Sequence, residues 1–150
     1  MGRLQLSGRS VWQVGTIFFI AVALNYVWEI AQAPLYAGMG SWGNAWWHCF
    51  VASLGDGILV SIIYAIGSVA FRCSDWYLHP TGPAYGLMLA SGFCIGVGVE
   101  WAAIFVLNRW AYATSMPLIP GLGLGFVPVL QMLLVPPLIF RIAARWTLRK

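Results

Sequence analysis

Charge is what this chain has least of. Only 8% of its 150 residues are charged, four of them acidic, and it holds just three cysteines and two histidines. Three cysteines without CxxC spacing and with no pair suggested offer no disulfide framework, and two histidines without HxxxH or HxxE spacing offer no ready metal motif. No basic run is interleaved in a way that suits nucleic acid, so nucleic acid is not an expected partner. Internal repeats and low-complexity segments are missing too. In their place stands hydrophobicity: 61% of the residues are apolar and the mean hydropathy is +0.81, far outside the range of a soluble domain.

Four apolar stretches, about 11–33, 49–71, 83–107 and 125–142, are each long enough to cross a hydrocarbon core of about 30 Å, which takes ~20 residues. The expected fold is therefore all-α, a four-helix transmembrane bundle forming a single polytopic domain over residues 1–150. Arg3 and Arg9 before the first stretch and Ala31-Gln32-Ala33 at its end give it the look of a cleaved signal. The run is much longer than the ~7–15 residues of a signal core, and Pro34 would follow the cut, so it reads as a retained helix. An N-in/C-in topology puts Arg3, Arg9, Arg72, Arg141, Arg145, Arg149 and Lys150 in the cytoplasm and only Arg109 outside, as the positive-inside rule asks. The expected location is a bacterial-type inner membrane with both termini cytoplasmic. Trp46 with Trp47, Trp76 with Tyr77, and Trp110 with Tyr112 read as interfacial aromatic belts.

Against so apolar a background, Glu29, Asp56 and Glu100 stand out. Ionisable groups in hydrocarbon cost roughly 2.5–3.5 kcal/mol each on insertion scales, so they persist where something uses them. At ~1.5 Å rise per residue, Asn25 lies roughly 5 Å and Glu29 roughly 10 Å outside the midplane, with Gln32 near the interface. Asp56, Glu100 and Gln131 come out at about 6 Å on the same side. His48, Asn108 and Arg109 rim that half, while the cytoplasmic half has no comparable polar group within a helix. Asn25, Glu29 and Gln32 also share one helical face by their i, i+4, i+7 spacing. Gly92, Gly96 and Glu100 form a small-residue stripe ending on a carboxyl, and Ser53, Gly57 and Ser61 flank Asp56. The glycines and serines are accounted for by close helix packing; the carboxyls on the same faces are not.

Three carboxyls in the outer half face one certain cation, Arg109, and one titratable group, His48. A proton held by one acid, or a bound cation, must balance them. A protonated acid beside an ionised one is an acid–base pair. Glu29, His48, Asp56 and Glu100 are the only residues through which a divalent metal could be held, though no cofactor is required. Pro128, Pro136 and Pro137 free carbonyls in the fourth helix, and Gln131 between them needs partners at that depth. The two outer loops, residues 34–48 and 109–124, are longer than simple turns, which suits loops that cover something.

The segments NYVWEIAQAPLY (residues 25–36) and EWAAIFVLNRWAYATSMPLIPGLGLGFVPVLQMLLVPP (residues 100–137) resemble small polytopic bacterial membrane proteins that carry no assigned activity. The stretch from Glu100 through Arg109, Tyr112 and Pro117 is similar to multi-pass carotenoid hydratases and lycopene cyclases, which place a membrane Glu ahead of a Tyr- and Pro-containing loop. That resemblance covers one short region and implies an isoprenoid substrate. In architecture the chain is also similar to bundles of the sterol-isomerase type.

The leading expectation is a membrane-embedded enzyme performing acid–base chemistry (isomerisation, hydration or cyclisation) on a lipid-like or isoprenoid ligand at the outer leaflet. Glu100 and Asp56 would form the proton-transfer pair, with Glu29 as third acid. Asn25, Gln32, His48, Arg109, Tyr112 and Gln131 would bind and position the substrate. Two other readings fit: a non-enzymatic accessory or assembly subunit of a larger membrane complex, and a small proton- or cation-coupled transporter. Four helices make a thin wall, which suits a homodimer or a larger complex.

Overall fold

The computed structural model describes residues 8–39 and 42–149. Four helices make up most of them: α1 (Gly8–Gln32), α2 (Trp42–Ala70), α3 (Gly82–Trp101) and α4 (Phe126–Leu148). All four are long and apolar enough to cross a membrane. Two isolated bridges are the only extended pairing among the described residues. Arg3 and Lys150, both counted in the charge asymmetry, lie outside the described residues, as does the side chain of Arg9.

The helices exist where the apolar runs are, but several ends differ from the sequence reading. α2 starts at Trp42, seven residues before the expected 49, so half of the supposed outer loop is helical and His48 sits on α2. α4 continues past the expected 142 to Leu148. Backbone groups leaving an apolar layer stay paired within the helix, so polar and aromatic flanks extend helices beyond their hydrophobic runs. α2 ends in a Schellman-type cap, with Cys73 N–H on the Ser68 carbonyl at 3.2 Å and Arg72 in the left-handed region at φ 50°. α3 leaves α-geometry after Trp101 and runs through a π-helical segment, Ala102–Val106, which ends at Asn108 with φ 48°.

α1 packs along α2 and α4, and α3 packs on α4, whereas α2 and α3 touch far less. The bundle is thus an open sequence of helices, α2–α1–α4–α3, with a seam between its first and last members. Its apolar core fills the half nearer the termini: Ile17 and Ala21 of α1, Val60 and Ile63 of α2, Met88 of α3, Ile139 and Phe140 of α4. Trp76 and Tyr77, expected at an interface, are buried there against Phe140, and the Trp76 indole donates to the Tyr64 carbonyl at 3.2 Å. That half also holds polar groups the sequence reading did not expect. Gln13 is fully buried, donates to Asp75 at 2.6 Å and accepts from the Tyr64 hydroxyl at 3.1 Å. The loop between α2 and α3 folds back under the bundle and brings Asp75 to it, which a depth ladder along straight helices cannot register.

At the opposite end two connections fold over one another. Tyr36 bridges Tyr112, with Ala37 N–H on the Ala111 carbonyl at 2.8 Å and Ala113 N–H on the Leu35 carbonyl at 2.9 Å. The second connection doubles back as a small hairpin, Leu118 opposite Gly125, turned by Gly121 (φ 80°) and Gly123 (φ 67°). Together they cover the loop end of the bundle.

Candidate functional site

Directly beneath these loops, three helices contribute to one hydrogen-bonded layer. The i, i+4, i+7 face of α1 delivers Asn25, Glu29 and Gln32, and the Gln131 side chain enters from α4. Gln131 Nε2 donates to Asn25 Oδ1 at 2.9 Å and to Asp56 Oδ2 of α2 at 3.0 Å. Its Oε1 accepts from Gln32 Nε2 at 3.0 Å, and the same Gln32 nitrogen donates to Glu29 Oε1 at 2.7 Å. Gln32 Oε1 in turn accepts from the Trp28 indole at 3.1 Å, and Asn25 Nδ2 donates to the Ala21 carbonyl at 2.9 Å. Both amide hydrogens of Gln131 and both of Gln32 are thereby used, which fixes the orientation of each amide. Gln32 and Gln131 are buried at 3% and 2% exposure, where unmet amides would be costly.

Glu100 reaches the same region from α3. A β-carbon at Gly92 would sit 2.1 Å from the Met132 carbonyl oxygen, and one at Gly96 would press on the Met132 side chain at 3.2 Å. The stripe is therefore a packing seam that lets α3 lie close on α4. Met132 is also the residue whose carbonyl loses its helical donor because Pro136, four residues on, has no N–H. That oxygen lies on Gly92, where a Cα–H is the available weak donor. One turn beyond this seam, Glu100 Oε2 accepts a short hydrogen bond from the Tyr112 hydroxyl, which itself accepts from Gly125 N–H at 2.8 Å. The Tyr36 hydroxyl and the Trp110 indole also face Glu100. Trp110 Nε1 is buried, with its indole turned toward Glu100. Burial, and after it the carboxyls around it, push the Tyr36 phenol well above its ordinary value; burial and the bond to Glu100 do the same for Tyr112. Both therefore remain neutral donors.

Between the layer and Glu100 lies a cleft of ≈ 750 Å³. Glu29, Asp56, Glu100 and Gln131 all line it, with Gln32 beside them. Its side wall is the α2–α3 seam, where the small residues Ala52 and Gly55 of α2 leave room. His48 and Arg109 are exposed at its mouth and Trp47 and Trp110 form aromatic wall. Each of the three carboxyls accepts from a neutral donor: Glu29 from the Gln32 amide, Asp56 from the Gln131 amide and Glu100 from the Tyr112 phenol. No group of three His, Cys, Asp or Glu side chains is placed to hold a metal ion among the described residues.

Each sequence-derived site residue can now be placed. Glu29, Gln32, His48, Asp56, Glu100, Arg109 and Gln131 share the cleft; Asn25 is fully buried behind it, holding Gln131; Tyr112 stands behind Glu100 as its donor. Asn108 is exposed and serves to end the π-helical segment. Tyr36, Trp110 and Trp28 were missed as parts of the site. Trp28 carried a signal, lying four residues before Gln32 on the same face; Tyr36 and Trp110 carried none, because a loop path places them.

Searches against protein-family models, curated proteins and solved structures return no match. The fold and site define a class on their own: an all-helical bundle with four candidate spans, fitting a multi-pass membrane protein, with a carboxyl-lined cleft open between two of its helices.

Proposed function

We propose that this protein is a membrane-embedded enzyme that uses its cleft carboxyls for acid–base chemistry on a lipid-like or isoprenoid substrate entering sideways between α2 and α3. The bundle sits N-in/C-in, so the cleft lies in the outer half of the bilayer. One observation carries this reading: three carboxyls held by neutral donors line a cleft whose side wall is the most loosely packed pair of neighbouring helices. An acid without a salt bridge can give up and regain a proton without stranding a buried cation. In an isomerisation, one carboxylic acid delivers its proton to an alkene carbon, the adjacent carbon becomes cationic, and a second carboxylate removes a proton from a neighbouring carbon to restore a double bond. Glu100 and Asp56 are the pair for these two transfers, with Glu29 ordering water when the reaction is a hydration. The faces of Tyr36, Trp47 and Trp110 offer π-density to the cationic stage.

A transporter reading fits less well. The buried apolar cluster that includes Ile17, Ala21, Val60, Met88 and Ile139 lies between the cleft and the buried Gln13–Asp75 pair. The enzyme reading is tested by mass spectrometry of membrane lipid extracts from cells expressing the wild type, Glu100→Gln or Asp56→Asn at equal abundance. A product that falls about a hundredfold or more, with its precursor accumulating, is expected for loss of a general acid or base. Lipid profiles unchanged by both substitutions overturn it, as does loss of a co-purifying complex together with function.

A further inference from the structure

The three cleft carboxyls do not share one environment. The crossing connections surround Glu100 with donors: the Tyr112 hydroxyl donates to Oε2, and the Tyr36 hydroxyl and the Trp110 indole face the same carboxyl. Tyr36 belongs to the first connection, Trp110 and Tyr112 to the second, and the Tyr36–Tyr112 bridge holds the two together. Because the Tyr112 oxygen accepts from Gly125 N–H at 2.8 Å, its own proton is left to point at Glu100. A carboxyl oxygen pair has room for several donors, and donors that converge on it favour its charged form.

Glu29 and Asp56 are placed differently. They lie within hydrogen-bond reach of one another across the α1–α2 contact. Gln32 donates to Glu29 and Gln131 to Asp56, and the remaining amide hydrogens of both glutamines are committed within the layer. Around the pair stand the Cys49 thiol, the Tyr36 phenol and, across the cleft, Glu100, while Arg109 and His48 are exposed at the mouth. Two carboxyls hydrogen-bond to each other only when one carries a proton, and like charges this close cannot both persist in an apolar layer. Resting on the enzyme reading above, we infer that the Glu29–Asp56 pair holds the transferable proton and that Glu100, kept as a carboxylate by Tyr36, Trp110 and Tyr112, is the base. In the isomerisation the pair gives a proton to the alkene carbon and Glu100 takes one from the neighbouring carbon. The substrate keeps its atom count, and the proton returns from Glu100 to the pair through water at the cleft's mouth. In this role Tyr36, Trp110 and Tyr112 are positioning residues, acting through Glu100.

The test is infrared spectroscopy of the purified full-length protein in dodecyl maltoside, a detergent without a carbonyl, at neutral pH in light and heavy water. A protonated carboxyl absorbs above the main amide band and moves down on deuteration, whereas a carboxylate absorbs below it. The wild type should show such an acid band. Asp56→Asn and Glu29→Gln should each displace or abolish it, and Glu100→Gln should leave it in place. Tyr112→Phe or Tyr36→Phe takes a donor from Glu100 and should add a second acid band, which disappears when Glu100→Gln is combined with either. A purely structural tyrosine would not move this signal. An unchanged main amide band shows that a variant keeps its helices, and two variants for each group keep the test decisive if one does not fold. No acid band in the wild type, a band unmoved by Asp56→Asn and Glu29→Gln, its loss in Glu100→Gln, or spectra indifferent to both tyrosine variants overturns the inference. Each of these outcomes leaves the enzyme reading to the lipid profiles above. Unchanged lipid profiles beside the expected spectra would remove the enzyme reading and keep the placement of the proton.

Discussion

Gln131 has one partner on each of three positions of two other helices, Asn25 and Gln32 on α1 and Asp56 on α2. Replacing it by leucine leaves those groups buried with lost partners, and the expected cost is about 1–3 kcal/mol, measured by unfolding in mixed micelles. Asn25→Leu should cost less when added to Gln131→Leu than alone, since the two share a bond. The phenols give a second prediction. Burial, and then the neighbouring carboxyls, raise the folded-state value of Tyr36, so an unfolded chain releases this proton at lower pH than the folded one. The neutral phenol's contribution is fully present below the unfolded value of about 10 and is lost as pH rises beyond it. Tyr36→Phe should therefore flatten the fall in stability above that pH, read by unfolding at a series of alkaline pH values. At this scale the sequence was informative for residues within helices: depth and phase alone bring Glu29, Asp56, Glu100, Gln32 and Gln131 together. It was uninformative for Tyr36 and Trp110, whose positions depend on how two loops cross. It misled for Trp76 and Tyr77, because an aromatic pair beside a span has the same composition whether it faces an interface or folds inward.

Among the elements, α3 shows how a packing seam and a functional side chain share one face. Gly92→Ala should separate α3 from α4 and cost about 1–3 kcal/mol, because its β-carbon would overlap a backbone carbonyl that cannot retreat like a side chain. Gly98→Ala, where a β-carbon meets nothing within 4 Å, should be neutral or slightly stabilising. Parallel thermal unfolding of the two variants checks the contrast, and equal losses would mean that α3 does not lie on α4 as described. The existence of four helices follows directly from apolar runs of sufficient length. Their ends do not, since hydropathy changes at the edge of an apolar layer while hydrogen bonding carries α2 back to Trp42 and α4 on to Leu148. The π-helical turn after Trp101 has no sequence marker, yet it redirects the chain just past Glu100 and so brings Trp110 and Tyr112 back toward it.

For the molecule as a whole, the decisive feature is which neighbouring helices pack most loosely. Nothing in four similar apolar stretches says that α2 and α3 are the outer members of the series, so the cleft between them was not legible from sequence although most of the polar residues that line it were. Orientation is open to a direct check: reporter fusions after Ser115 should face the outer compartment and fusions after Asp75 the cytoplasm. The most direct test of the central claim is photolabelling in nanodiscs with a diazirine-bearing dodecyl chain, read residue by residue by mass spectrometry. Val51, Ile58 and Val99 line the cleft, whereas Phe19, Val27 and Leu134 are exposed residues that do not line it. Labelling of the first three that saturates and is displaced by excess unlabelled chain, against unsaturable labelling of the last three, is the expected result. Equal, unsaturable labelling of both sets would contradict a lipid-chain site between α2 and α3.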